Sequence, residues 1–209
     1  EEHFLKALKV DPKNSSLQMV LADLYSRQGR LDDAQEIVEN LVKDNPANSG
    51  LKLGLGEFLL RRGLADKANA QFEDALKADP LRHEARERLY DTYLVRKEVE
   101  KSKALTADLA KASPENPGLL YFRGRDAEVD GKRPEALQLY TKDLPAMSNF
   151  APLFRRVGLL ELMSGEKTNG IQHLNQAITI DPGDVGARLA LAKQELSDRD
   201  LPTATEHVN

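Results

Sequence analysis

Proline recurs in this chain at Pro12, Pro46, Pro80 and Pro114, each 34 residues after the last, and again at Pro182, 68 residues further on. Each closes a similar phrase: ALKVDP at 7–12, LVKDNP at 41–46, ALKADP at 75–80, LAKASP at 109–114 and AITIDP at 177–182. The missing member of the series falls at Ser148. Proline ends a helix and is not tolerated in its interior, so a proline at fixed spacing after an apolar helical stretch marks a repeated helix end. A unit of this length cannot hide its own apolar faces. Neighbouring units must stack to make a core.

With the proline at position 32, five full units run 15–48, 49–82, 83–116, 117–150 and 151–184. A partial unit at 1–14 precedes them and another at 185–209 follows, so 1–209 reads as a single array. The chain begins inside a unit, and a longer parent protein is expected. Position 15 reads Gly29, Gly63, Lys97, Gly131, Gly165 and Arg199, which suits a tight turn. Position 8 reads Ala22, Gly56, Tyr90, Gly124, Gly158 and Ala192, and position 20 reads Ala34, Ala68, Ser102, Ala136, Gly170 and Ala204. Small residues at these two positions let a pair of helices approach closely. In 49–82 the apolar residues Leu51, Leu55, Leu59, Phe72, Ala75 and Leu76 fall at spacings of three and four, one buried stripe per helix. Each unit is therefore helix, turn, helix, turn, and the fold class is all-α.

Leu55, Gly56, Leu59, Ala68, Phe72, Ala75 and Pro80 occupy slots that resemble the tetratricopeptide repeat (TPR) family, with Lys52 in place of the usual aromatic of the first helix. The resemblance covers essentially the whole chain. It implies a solenoid of antiparallel helix pairs forming a right-handed superhelix, whose first helices line a concave groove that binds peptides or other proteins. Groove positions in the family are 2, 5, 9, 12 and 13 of the first helix. Carried onto this sequence, position 9 reads Asp23, Glu57 and Asp91, then Arg125, Leu159 and Lys193. Tyr121, Arg155 and Met163 complete the groove candidates. Such a strip is expected to accept an amphipathic or acidic peptide, with arginines as carboxylate partners. Charge reversal at Arg125 and Arg155 is expected to weaken the partner without lowering stability. Some relatives clamp a chaperone tail with Lys and Asn in successive first helices. The slots here hold Met19 and Asp23, Leu53 and Glu57, or Glu87 and Asp91, so that function is disfavoured.

No catalytic signature accompanies the repeats. The chain has no HExxH, GxSxG, P-loop or dinucleotide fingerprint, and His3, His83, His173 and His207 sit at unrelated unit positions. His173, with Glu166 and Asp181 near it in sequence, reads as a helix-surface histidine. With no cysteine, thiolate metal sites are excluded, and no metal or cofactor is expected. A formal charge of −4 gives no clustered basic excess for nucleic acid. No apolar run approaches the roughly 18–20 residues of a membrane span, so this segment is expected to insert in no membrane. The reading is a non-catalytic protein-binding scaffold. Phrases such as LYSRQGRLDDAQEIVENLVKDNP resemble bacterial TPR proteins of envelope assembly, secretion and exopolysaccharide export. The alternative is a substrate-recruiting arm of an enzyme whose catalytic domain lies elsewhere. Compartment stays open between bacterial periplasm and cytoplasm.

The unit 117–150 departs from pattern. Pro145 stands three residues early, so its second helix is expected to stop near Leu144, with Met147 and Phe150 marking either a bend or an edge for a partner. Arg123 and Asp143 occupy slots that elsewhere hold core residues. Either they pair or both reach water. At the ends, Phe4, Leu5, Leu8, Leu201 and Val208 are expected to be uncovered and to promote self-association.

Overall fold

The structure, a computed structural model, describes residues 1–197. Leu201 and Val208 lie outside the described residues. Twelve α-helices make up the described chain: α1 (Glu2–Val10), α2 (Ser15–Arg27), α3 (Leu31–Asp44), α4 (Ser49–Arg61), α5 (Ala65–Ala78), α6 (His83–Val95), α7 (Val99–Ala112), α8 (Leu119–Val129), α9 (Arg133–Asp143), α10 (Ala151–Ser164), α11 (Lys167–Ile180) and α12 (Val185–Ser197). They fall into two compact units, Glu1–Leu105 and Thr106–Asn209. No helix of the described residues is long and apolar enough to cross a membrane.

Within Glu1–Leu105, the core is built from α2 to α6: Leu21, Tyr25 and Ala34 pack with Val38, Leu55, Leu59, Phe72 and Leu89. The small residues at position 8 do what their size requires. A Cβ at Gly56 would stand 2.4 Å from the Phe72 ring, so only glycine lets α4 and α5 lie this close. The chain reverses at Gly63, whose φ of +75° favours glycine. The helices of the pair are therefore antiparallel. At the N-terminal end, Phe4 and Leu8 pack against this core, while Leu5 stays 39% exposed. Less apolar surface is uncovered there than the sequence suggested.

A device the sequence did not reveal closes the turns. The fourth residue of three first helices reaches back to the carbonyl of the recurring proline: Gln18 Nε2 donates to Pro12 O at 2.7 Å, Arg86 Nη2 to Pro80 O at 2.6 Å and Arg188 Nη2 to Pro182 O at 2.9 Å. Each bond satisfies a turn carbonyl that the helices cannot reach. Two further ion pairs tie successive helix pairs together in Glu1–Leu105, Arg62 with Asp32 at 2.8 Å and Arg96 with Asp66.

Lys97 is the one non-glycine residue of the described chain with positive φ, at 61°. It fills the turn slot that Gly29, Gly63, Gly131 and Gly165 fill elsewhere, at φ of +75° to +89°. A side chain in the left-handed region costs about 1 kcal/mol, partly offset by the extra freedom glycine has in the unfolded chain. Lys97→Gly is therefore expected to stabilise the chain by up to about 0.6 kcal/mol, read as a shift of the urea midpoint at unchanged slope. A loss of stability would show that this turn is not strained.

In Thr106–Asn209, Phe154, Leu174, Ala177, Ala187 and Leu191 form the core of α10 to α12. Here α10 and α11 meet through glycine on both sides. A Cβ at Gly158 would stand 2.7 Å from the Gly170 carbonyl, and one at Gly170 would stand 2.8 Å from Leu162. As expected from Pro145, α9 stops at Asp143, with Leu144 as its C-cap. Met147 and Phe150, however, turn inward. They are 8% and 9% exposed, and the Phe150 ring packs edge-on to Tyr121 at 5.1 Å. They form core, not an exposed edge.

Candidate partner-binding site

The eight residues expected in a groove have different fates. In Glu1–Leu105, Asp23 on α2 is exposed and pairs with Arg27 at 2.8 Å. Glu57 on α4 is half-buried and accepts two bonds from Arg88 of α6, at 3.0 and 2.7 Å. Asp91 on α6 is half-buried. In Thr106–Asn209, Tyr121 and Arg125 on α8 are buried at 0% and 2% exposure, which puts them beyond a partner's reach. Arg155 on α10 spends its guanidinium on Asp184, both of whose carboxylate oxygens lie 2.8 Å from Nη1. Asp184 in turn caps α12 by accepting from Ala187 N–H at 2.9 Å. Leu159 is half-buried against the Phe154 core. Only Met163, 59% exposed, combines an apolar side chain with an open face.

Helix α8 also differs from the other first helices in where it starts. Helix α8 starts at Leu119 because Asn116 Oδ1 accepts from Gly118 N–H at 2.9 Å and holds the chain in a turn for two residues longer. Gly124 still faces its partner, with a built Cβ 2.4 Å from Tyr140, so the α8–α9 pairing keeps its register. Around that fixed point Phe122 and Tyr121 become core, and Arg123 faces solvent. The Tyr121 hydroxyl accepts from Arg156 Nε at 3.2 Å, and Arg156 also pairs with Glu128 at 3.0 Å.

Asp143 does not pair with Arg123. It is 1% exposed, and its Oδ2 accepts from the Tyr121 backbone N–H at 3.0 Å. Burial pushes its carboxyl up to about 6 from an ordinary 3.8, against the lowering effect of that hydrogen bond. The folded chain therefore binds more protons than the unfolded chain between about pH 4 and 6. The stability this group contributes is full below pH 4 and is lost as pH rises through about 6. Asp143→Asn removes the titration and keeps an acceptor for the N–H. The variant should gain on the parent chain as pH rises from 4 to 7, by up to about 3 kcal/mol for a shift of two pKa units. Denaturant melts at both pH values test this. A difference that does not change with pH would mean Asp143 ionises freely.

His173 is not a plain surface residue either. Its Nδ1 lies 2.6 Å from Oε2 of Glu161, which is itself 6% exposed, so the pair fixes α11 on α10. Among the described residues no group of three or more His, Asp and Glu side chains is placed to hold a metal ion.

An open cleft remains. Between α9 and the C-terminal half of α10 lies a space of about 960 Å³. Its floor is apolar: Pro134 and Leu137 from α9, Leu160 and Met163 from α10. Its polar lining includes Arg133, Lys142 and Glu166. Helix α9 exposes this face because Ala136, Tyr140 and Asp143 point the other way, into the α8–α9 contact. Neither Arg133 nor Lys142 forms an ion pair with any described residue. Leu137 and Lys142 belong to a second helix, and the family's groove positions, all on first helices, could not have pointed to them.

Compared with known proteins, residues 19–81 match the tetratricopeptide repeat family. No curated protein matches the chain. Solved structures match it in fold. A thermophilic TPR protein in Thermus thermophilus is 19% identical, with a TM-score of 0.61 over 87% of this chain and 99% of that one. A tetratricopeptide repeat protein from Parabacteroides merdae is 15% identical, with a TM-score of 0.64 over 99% of this chain and 82% of that one. The Cut9–Hcn1 hetero-tetramer of the APC/C contributes a chain that is 14% identical, with a TM-score of 0.65 over 98% of this chain and 41% of that one. Residues 19–81 are thus tetratricopeptide repeat by sequence, and the described chain has the fold of TPR proteins.

Proposed function

We propose that this chain is a non-catalytic scaffold, one array of five full 34-residue units with partial units at both ends, that holds a segment of another protein. The observation that carries the reading is the α9–α10 cleft, about 960 Å³ with an apolar floor and two cations that have no partner within the described chain. Sites that bury ligand combine such a floor with a few polar groups that fix orientation. The fold adds support, because stacked helix pairs offer large exposed faces that recognise other chains. Of the residues expected in a first-helix groove, Asp23 and Met163 are exposed, Glu57, Asp91, Arg155 and Leu159 are half-buried, and Met163 belongs to the cleft. The setting we propose is bacterial envelope assembly, secretion or exopolysaccharide export, from the wording of the units alone.

The test is capture with a matched control. The parent chain and a Leu137→Asp/Met163→Asp variant are immobilised side by side against an extract of the source cells. Both side chains are partly or fully exposed, so the variant should fold. The parent should retain a defined protein that the variant loses. Identical sets on both would remove the cleft from the account.

A further inference from the structure

We propose that the occupant of the α9–α10 cleft is an acidic amphipathic helix: apolar side chains seated on Leu137, Leu160 and Met163, and carboxylates near its two ends meeting Arg133 and Lys142. The inference rests on the scaffold reading and names the partner's chemistry.

The geometry of α9 sets the pattern. At 100° per residue Pro134, Leu137, Gln138 and Thr141 share one face, with Arg133 and Lys142 on its opposite rims. The two cations are nine residues apart, about 14 Å along the axis. Both are exposed, and neither pairs within the described chain. Their neighbour Lys132, by contrast, lies 4.0 Å from Asp130 and from Glu135. Glu166 is the single carboxylate of the lining, and it already accepts from Asn169 at 3.2 Å. Two cations against one carboxylate leave the cleft net positive over an apolar floor. An acidic segment complements it, and a basic one is repelled.

Backbone chemistry selects the helix over an extended strand. A strand gains affinity when its N–H and C=O groups join a sheet edge. The walls here are α9 and α10, whose own backbone groups are mostly bonded within each helix, so an extended guest would leave its polar groups unmatched. A helical guest satisfies its backbone itself and presents apolar side chains at i, i+3 or i+4, and i+7. Three turns span the distance between Arg133 and Lys142.

The test uses displayed peptides of about 14 residues, patterned as helices and randomised on one face, selected against the full chain. Enriched sequences should carry Leu, Ile or Met at helical spacing with Asp or Glu beyond them. As synthetic peptides they should bind an Arg133→Glu/Lys142→Glu variant at least about tenfold more weakly than the parent, and more weakly as salt rises. An Arg133→Gln/Lys142→Gln variant, which removes charge without adding any, should show an intermediate loss. Circular dichroism confirms that each variant is folded. Enriched peptides with no acidic bias that still lose binding on Leu137→Asp would overturn the acidic helix and leave the scaffold reading standing. Peptides that bind every variant as they bind the parent would overturn both the acidic helix and the cleft. Failure to enrich any peptide overturns the proposal.

Discussion

Arg125→Glu is expected to cost about 3–5 kcal/mol of stability, a large share of the roughly 5–15 kcal/mol that holds an ordinary domain folded. Arg125 is the largest of the side chains that are fully buried in the described chain. It sits on α8 among Tyr121, Phe122 and Ala127, with exposures of 0%, 0% and 5%. A buried charge is tolerated only where its surroundings are built to solvate it. Reversing its sign turns those arrangements into repulsion and leaves a carboxylate out of water. Arg125→Met, of similar length and without charge, should cost much less, because replacing a buried ion by an apolar side chain of similar size is often close to neutral. Urea titration of both variants separates the two effects. If Arg125→Glu melts like the parent chain, Arg125 reaches solvent and its burial is wrong. The same reasoning corrects the expectation that Arg125 and Arg155 can be reversed freely. Arg155→Glu would set two carboxylates against each other at Asp184, where Arg155 now pairs at 2.8 Å, and should loosen the start of α12.

Gly158→Ala is the second large effect, at about 1–3 kcal/mol of destabilisation for one added methyl. On an exposed helix the same change would stabilise by about 1 kcal/mol. The sign reverses here because the new Cβ meets backbone, the Gly170 carbonyl at 2.7 Å, as well as Leu174 at 2.8 Å. Gly56 and Gly124 also lack room, but their built Cβ atoms meet the rings of Phe72 and Tyr140, which can tilt, whereas α11's main chain must translate as a body. Gly158→Ala should therefore cost more than Gly56→Ala. Thermal unfolding of the two variants decides the order. Equal or reversed effects would mean that α10 and α11 separate at little cost.

The helix pairs were legible because their determinants are local and recurrent. Gly63 turns the chain, Gly56 admits Phe72, and Pro145 stops α9, each for a reason carried by that residue type. Side-chain partnerships were not legible in the same way. Arg123 and Asp143 hold slots that are core elsewhere, and neither a pair nor joint exposure results: Asp143 is buried and Arg123 exposed. Asn116 delays the start of α8, Phe122 fills the core and Arg123 turns to solvent, a choice made between competing side chains that no spacing rule ranks. Three of the groove candidates are taken up within the fold for a related reason: Tyr121 and Arg125 are buried, and Arg155 pairs with Asp184. Arg155 occupies a family groove position, but a buried capping carboxylate 29 residues later captures it. Position in a repeat says where a side chain starts. What it meets depends on partners in other units, and those vary from one unit to the next. The α9–α10 cleft lies on the outer face of a second helix, through Pro134, Leu137 and Lys142, which no first-helix groove position marks.

Photo-crosslinking from a single position tests the central claim most directly. A photoreactive amino acid replaces Met163, which lines the cleft and is 59% exposed, and in a second protein it replaces Glu39, exposed on α3 in the other compact unit. Irradiation in the source cells should give one discrete adduct from position 163, lost when Arg133→Glu and Lys142→Glu are added, and no matching adduct from position 39. Discrete adducts of the same mass from both positions, or an adduct at 163 that survives the charge reversals, would contradict a partner held in the α9–α10 cleft.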